Sequence, residues 1–363
     1  MFLITLWLTT HALVVNKRNS RISTLFILLL ISVLLCLKTK SLLLFYVFFE
    51  ASVLPITLIL FLYGYQPEKL QASIFLLLYT VTRSLPLLIV ILLGPPERTS
   101  LAFLALPITL AFIVKSPMYL FHTWLPKAHV EAPVGGSIVL AGVLLKLGRY
   151  GLLIFLPSVK MNSLLALYLS LSVIGSVVCS LICIRQGDMK LLIAYSSVVH
   201  IGVVSLGYLR GTEMGYTCGL MMVFAHGVCS PFLFAFSFTL YQNSHSRLIT
   251  NNAGAWPLPM AILITLVSLN IGLPPRLGLW SELFMSIRIL RLINSLWFLL
   301  LIIFFFGVAY NLVLYTLTMH SKFSRNLIVI ETRNIIPIVQ VLFYGYTSFC
   351  CLDVFHVSFD FTS

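Results

Sequence analysis

Glu50 in "FYVFFEASVLP", Lys115 in "AFIVKSPM", Lys146 in "GVLLKLGRYG" and Glu282 in "LWSELFM" are charges set inside apolar runs. Two carboxylates and two amines in such places can take up, hold and release protons. Each costs roughly 2.5–3.5 kcal/mol near the centre of a membrane helix on insertion scales, whereas a good apolar residue returns only about 0.3–0.6 kcal/mol. Four of them offset roughly twenty apolar positions, so they are expected to face the protein interior and to have partners. Glu50 and Lys115 are opposite in sign and are expected to lie within hydrogen-bond or one-water reach, a pairing that fixing helix packing would also explain. Lys146 has no acid within a helical turn. Burial disfavours its charged form, so neighbouring charge can switch its proton on or off.

Histidines extend the series. His200 in "AYSSVVHIG" and His226 in "FAHGVCSP" fall within apolar runs, and imidazole titrates near neutrality. Either could be a hydrogen-bonded core residue; their company with embedded lysines favours proton chemistry, and His226 is the stronger candidate. His122 and His129 flank Trp124, a pattern expected near a membrane interface, where headgroup anchoring explains them as well as chemistry does. Arg83 also falls within an apolar run, expected either to snorkel or to mark a short interruption before Pro86.

The elements that must position these groups are membrane helices. Of 363 residues, 60% are apolar and 9% charged, against about 25% charged in soluble domains, and the mean hydropathy is +1.05. Runs long enough to cross about 30 Å of hydrocarbon recur end to end. About twelve candidate spans lie near 2–15, 22–37, 41–63, 71–93, 101–123, 134–156, 162–184, 190–208, 215–241, 257–290, 293–318 and 335–352. The first is short for a crossing, and 257–290 is too long for one straight helix. An all-α polytopic membrane protein is expected, and its chain is expected to begin within the membrane, since the first residues lack a signal peptide's basic start and cleavage site.

Two spans are interrupted at comparable places. Pro117, Pro126 and Pro133 follow Lys115, and Gly272, Pro274 and Pro275 precede "RLGLWSELFM". Proline removes a backbone donor and clashes with the carbonyl four residues earlier. Such breaks persist at membrane depth only where protein or a hydrated cavity satisfies the freed groups. Paired breaks in two halves of a chain point to an inverted-repeat transporter and its ion path.

Other functions are disfavoured. The net charge of +13 comes from Lys and Arg standing singly or in pairs between apolar runs, where they meet lipid headgroups, so nucleic acid is not an expected partner. Basic residues in successive loops give a split vote on orientation: Lys17, Arg18 and Arg21, then Lys38 and Lys40. The seven cysteines include no Cys-x-x-Cys pair; Cys179 and Cys183 share a helix face, as packing residues do. No disulfide framework, zinc site or iron–sulfur site is expected. No dinucleotide fingerprint, Walker loop or haem-like histidine pair occurs, so the chain is expected to move something without holding a redox centre.

"VKSPMYLFHTWLPKAHVEAPVGGSIVLAGVLLKLGRYG" closely resembles the most recognisable segment of the antiporter-like membrane subunits of respiratory NADH:ubiquinone oxidoreductase, complex I. "LFYVFFEASVLPITLIL", "DMKLLIAYSSVVHIG", "FAHGVCSPFLF", "HSR" at 245–247 and "LPPRLGLWSELF" match collinearly over most of 40–290. The resemblance implies two inverted five-helix repeats in one membrane domain, at about 22–156 and 162–318, then a C-terminal segment, 319–363, with the last helix. It implies a mitochondrial inner-membrane location, neighbouring membrane-arm subunits and lipids as partners, and proton pumping coupled to electron transfer elsewhere. NADH, flavin, iron–sulfur clusters and ubiquinone would belong to other subunits. By motif, Glu50 and Lys115 match the family's glutamate–lysine pair, Lys146 its central lysine, His226 the histidine of its hydrated axis and Glu282 its terminal acid; His200 joins them from the residue pattern. Three departures stand out: two helices before the repeat core have no counterpart, the connection at 93–100 is short, and Arg83 replaces a small residue. Two rival functions remain: a cation/proton antiporter subunit, which would use the same charges, and a structural spacer that has lost pumping.

Overall fold

A computed structural model describes residues 2–15, 20–94, 102–155, 163–209, 213–252, 257–273, 277–291 and 296–319. The helices are α1 (Phe2–Val15), α2 (Ser20–Lys38), α3 (Leu42–Ala51), α4 (Val53–Tyr63), α5 (Lys69–Leu92), α6 (Ala102–Lys115), α7 (Trp124–Glu131), α8 (Val134–Val139), a π-helical turn (Leu140–Leu144), α9 (Leu145–Phe155), α10 (Ser163–Ile184), α11 (Met189–Leu209), α12 (Glu213–Ser244), α13 (Pro257–Ile271), α14 (Leu277–Leu290) and α15 (Trp297–Met319). No strand occurs among the described residues, beyond one isolated bridge between Asp188 and Leu248. Eight described helical stretches are long and apolar enough to cross a membrane. The expected span at 335–352 and the connection at 95–100 lie outside the described residues.

Both expected breaks are present. The helix at 101–123 stops at Lys115 and resumes as α7 at Trp124. The run 257–290 divides into α13, of 15 residues, and α14, of 14. At 1.5 Å per residue each half spans only about 22 Å, short of the hydrocarbon thickness, so neither crosses alone. The span at 41–63 carries a local irregularity that was not anticipated: Pro55 opposes the Ala51 carbonyl, while Ser52 keeps helical dihedrals and its N–H donates to Phe48 O at 3.0 Å, so Leu42–Tyr63 remains one span. The interruption considered before Pro86 does not occur. α5 runs unbroken through that proline, and the exposed Arg83 guanidinium sits 5.5 Å over the Phe121 ring.

The first break has its backbone accounted for. Pro117 ends α6; Met118 N–H then donates to Ile113 O at 3.2 Å, and the Trp124 indole N–H donates to Val114 O at 3.1 Å. Leu120, at φ 77°, takes the left-handed conformation that L-residues rarely adopt, a strain that persists only where surroundings over-determine it. Trp124→Phe removes the donor to Val114 O while keeping an aromatic ring. The expected cost is about 1–3 kcal/mol for an orphaned buried carbonyl, seen as a lowered midpoint for heat dissociation of the membrane assembly; an unchanged midpoint would mean the carbonyl finds another donor. At the second break Gly272 has φ 73°, and a Cβ there would lie 3.2 Å from Leu279 N. Nearby, buried Asn270 donates to Asn311 Oδ1 at 2.9 Å, tying α13 to α15.

The inner helices are those carrying the sequence-identified charges. In the α11 span 89% of residues are buried, against 28% in α2, α5 and α15, whose apolar outer faces include Ile31, Ile74 and Phe305. In lipid, apolar contact alone does not draw helices together, and close packing relies on small residues. Gly148 shows this: a Cβ there would meet Ser116 N at 2.8 Å. The helix bearing Lys146 thus packs directly against the end of α6, where Lys115 sits.

Candidate functional site

A lysine–carboxylate ion pair and a histidine–carboxylate contact flank a lysine–histidine contact. Glu50, at the end of α3, lies 3.0 Å from Lys115 Nζ. Lys115 Nζ also donates to Phe49 O at 2.7 Å and lies 3.2 Å from the centroid of the Phe49 ring. The broken end of α6 therefore presents its ammonium to a carboxylate, a carbonyl and an aromatic face at once. A void of about 20 Å³ beside it, lined by Ser52, Thr80, Lys115, Leu144 and Leu147, has room for about one water molecule and reaches toward the Lys146 helix.

Lys146 has no acid beside it among the described residues; its partners are a carbonyl and an imidazole. Its Nζ donates to Ala141 O and lies 3.1 Å from His226 Nδ1. The Ala141 carbonyl belongs to the π-helical turn just before Lys146. Such turns insert one residue into an α-helix and cluster at functional sites. Gly227 completes the contact from α12: a Cβ there would lie 3.3 Å from Lys146 Cε. Pro231, inside α12, opposes the carbonyl of Gly227 four residues earlier, loosening the backbone beside His226.

His200 Nδ1 lies 3.2 Å from Glu282 Oε1. The His200 and His226 ring centroids are 5.5 Å apart, and the Nε2 atom of each ring is buried without a protein hydrogen bond. Both imidazoles thus use Nδ1 on an outer partner and leave Nε2 free. A void of about 10 Å³ touches Lys146, Arg149, His200 and His226, close to the minimum that holds a water. An imidazole can accept a proton on one nitrogen and release one from the other. The order Lys146, His226, His200, Glu282 is an array through which a proton can pass without covalent chemistry.

The structure brings all six sequence-identified residues, Glu50, Lys115, Lys146, His200, His226 and Glu282, into two pairs and one connecting contact. Four residues were missed or misplaced. Arg149, buried one turn after Lys146, donates to Ile201 O at 2.9 Å; a second cation in "LLKLGRYG" was its signal. His129 was expected near an interface but is fully buried, stacked on Phe234 at 4.3 Å. His122 is buried too, stacked on Tyr119. Lys190, at the start of α11, is buried and donates to Ala132 O at 3.1 Å. Cys179 and Cys183 are packing residues in the core.

The pairs also share a placement. Counting from α2, the second membrane element (α3–α4) carries Glu50 and the broken fourth (α6–α7) carries Lys115. Counting from α10, the second (α11) carries His200 and the broken fourth (α13–α14) carries Glu282. Base and acid exchange places between the two sets.

Residues 39–94 and 96–331 match the family described as "NADH:quinone oxidoreductase/Mrp antiporter, TM". The NADH-ubiquinone oxidoreductase chain 4 of Lumbricus terrestris is 35% identical, over 94% of this chain and 84% of the relative. That of Ceratitis capitata is 39% identical, over 89% and 78%. Among solved structures, a chain of respiratory complex I from Thermus thermophilus with bound NADH superposes with a TM-score of 0.88 at 25% identity, over 98% of this chain and 81% of that one. On the family match and these relatives, the chain belongs to the NADH:quinone oxidoreductase/Mrp antiporter transmembrane family.

Proposed function

We propose that this chain is a proton-translocating subunit of the membrane arm of mitochondrial complex I, a multi-pass protein of the inner membrane beside other antiporter-like subunits. The observation that carries the reading is the buried array itself: Glu50–Lys115 at one end, Lys146–His226 in the middle and His200–Glu282 at the other. The names of these relatives support the assignment to complex I. NADH, flavin, iron–sulfur clusters and ubiquinone belong to other subunits on this reading, and the chain contributes proton movement to the enzyme. The two five-element sets, each broken at its fourth element, act as inverted repeats that meet at Lys146 and His226.

In mechanism, the Glu50–Lys115 pair is the switch. Two unit charges about 4 Å apart at an effective dielectric near 20 attract by about 4 kcal/mol. A charge change in a neighbouring subunit that loosens the pair releases the Lys115 field toward Lys146. Lys146 then gives its proton to His226 Nδ1; the imidazole releases one from Nε2 toward His200, and Glu282 receives it. When the pair closes, Lys146 regains a proton and the states reset.

Glu282→Gln tests the reading at its far end. In sealed inner-membrane vesicles with assembled complex, NADH oxidation and the protons moved per NADH are measured together. A marked fall in either is expected, because the amide cannot receive the proton. Parent values of both would leave a spacer role standing and sink the proposal.

A further inference from the structure

Arg83 is a charge that the buried array does not use. It stands inside α5, a helix of 24 residues, about 36 Å long at 1.5 Å per residue against about 30 Å of hydrocarbon. Its Cα lies about 21 Å from the Lys69 end. Side chains lean toward a helix's N-terminus, which carries the guanidinium to the middle of the span. It does not snorkel to either headgroup layer: it sits 5.5 Å over the Phe121 ring. It is exposed on the outer surface, beside exposed Leu78, Thr82, Leu85 and Leu120. Phe75, Tyr79 and Arg83 recur every four residues and share a face of α5, the two rings 4.6 Å apart. Lys127 Nζ lies 4.5 Å from the Phe75 centroid on the same seam, but Phe75 is only about 9 Å from the helix start, where a lysine stem reaches headgroups. Lys127 also lines a cavity of about 780 Å³ with Glu68 and Glu131, a lining that does not include Arg83.

A guanidinium at this depth needs an anion, because a cation–π contact returns only part of the cost of leaving water. The described carboxylates of this chain do not supply it. Among the described residues Arg83 makes no ion pair, and Glu50, Glu131 and Glu282 are engaged elsewhere. Glu68 and Asp188 line the cavity. A lipid phosphate stands outside the hydrocarbon, about 15 Å or more from the bilayer centre, farther than an arginine side chain extends. The remaining source of fixed negative charge at this depth is another membrane protein.

We infer that the outer face of α5 around Arg83 is a docking surface for an adjacent membrane-arm subunit, whose helix places an Asp or Glu carboxylate against the guanidinium at mid-membrane depth. This rests on the reading above for the presence of neighbouring subunits and names the face and the chemistry by which one is recognised. Leu78, Leu85 and Leu120 give the partner helix an apolar surround, and the charge pair fixes its register. The contact also touches the first break. Phe121, under the guanidinium, follows Leu120, whose φ of 77° marks the strained turn between Lys115 and α7. A subunit docked here braces that turn from outside.

The test uses the complete complex in inner-membrane vesicles. Arg83→Leu suits lipid but leaves the neighbour's acid buried and unpaired, so assembled complex on native gels is expected to fall by about tenfold or more. Arg83→Lys keeps the cation and is expected to retain most of the complex. It also supplies a primary amine. Dicyclohexylcarbodiimide, which enters membranes, is expected to join that amine by an amide bond to an Asp or Glu of an adjacent subunit, a link found by mass spectrometry and absent from the parent. A leucine variant at the parent level means that Arg83 faces lipid tails, and overturns the docking. Loss of complex without any such link assigns the anion to a lipid phosphate and overturns it too, as does a link only to an acid of this chain. Lys146→Ala is measured alongside. If it stops pumping while the Arg83 variants show no effect, only the docking falls; if this chain is missing from the parent complex, the membrane-arm reading fails as well.

Discussion

Complex carrying Lys146→Ala is expected to assemble in near-parent amounts and to lose proton pumping with coupled NADH oxidation, a fall of about a hundredfold if Lys146 carries every proton. Assembly survives because alanine at membrane depth relieves a lysine's insertion cost of roughly 2.5–3.5 kcal/mol, and the side chain leaves no unpaired acid behind: its bonds run to the Ala141 carbonyl and a His226 nitrogen. Function does not survive, since His226 then has no donor on its Nδ1 side. Lys146→Arg separates charge from proton transfer. It keeps the cation beside His226 but cannot give up its proton, so it too is expected to stop pumping. Vesicle acidification and NADH oxidation decide the matter, and an alanine variant that assembles and pumps at the parent rate would make Lys146 structural.

The second large effect belongs to the Glu50–Lys115 pair. Glu50→Gln leaves Lys115 as a buried cation without its acid, and Lys115→Met leaves Glu50 as a buried anion without its base. Removing one member of such a pair costs about 3–5 kcal/mol, whereas removing both is often tolerated. Each single variant is therefore expected to lower the amount of assembled complex, and the double variant to restore much of it. Coupled pumping should be lost in all three, because the switch is gone from each. Native-gel quantitation gives the first readout and vesicle acidification the second. Equal losses of complex in the singles and the double would show that the pair contributes no mutual stabilisation.

The charges were legible because their cost at membrane depth does not depend on fold. Glu50, Lys115, Lys146 and Glu282 stood out against apolar neighbours, and opposite sign predicted the first pair. The breaks were legible for a similar local reason: Pro117 and Gly272 cannot continue a helix as other residues do. The contacts between Lys146 and His226, 80 residues apart, and between His200 and Glu282, 82 apart, were not. They depend on which faces of α9, α11, α12 and α14 turn toward one another, and nearly uniform apolarity hides a helix's inner face. His129 was misread because Trp and His in a proline-rich stretch have an interfacial composition. Only the packing of Phe234 across it, a residue of α12, shows that it is inside. Lys190 was passed over because a cation at the start of a span looks like an ordinary headgroup anchor.

The π-helical turn at Leu140–Leu144 sets the azimuth of Lys146. Each residue of an α-helix advances the side chains by about 100°, and one extra residue in the turn shifts everything after it by that phase. Read on a single helical wheel, 134–155 smears two faces that the folded chain keeps distinct, one before the turn and one after. Deleting one residue there would turn the lysine away from α12 and preserve the span's apolarity and nearly all of its length. Hydropathy would register no change, and the ammonium would point elsewhere. The alignment of the central amine with its imidazole is thus a matter of counting residues, held by an insertion that neither composition nor charge records.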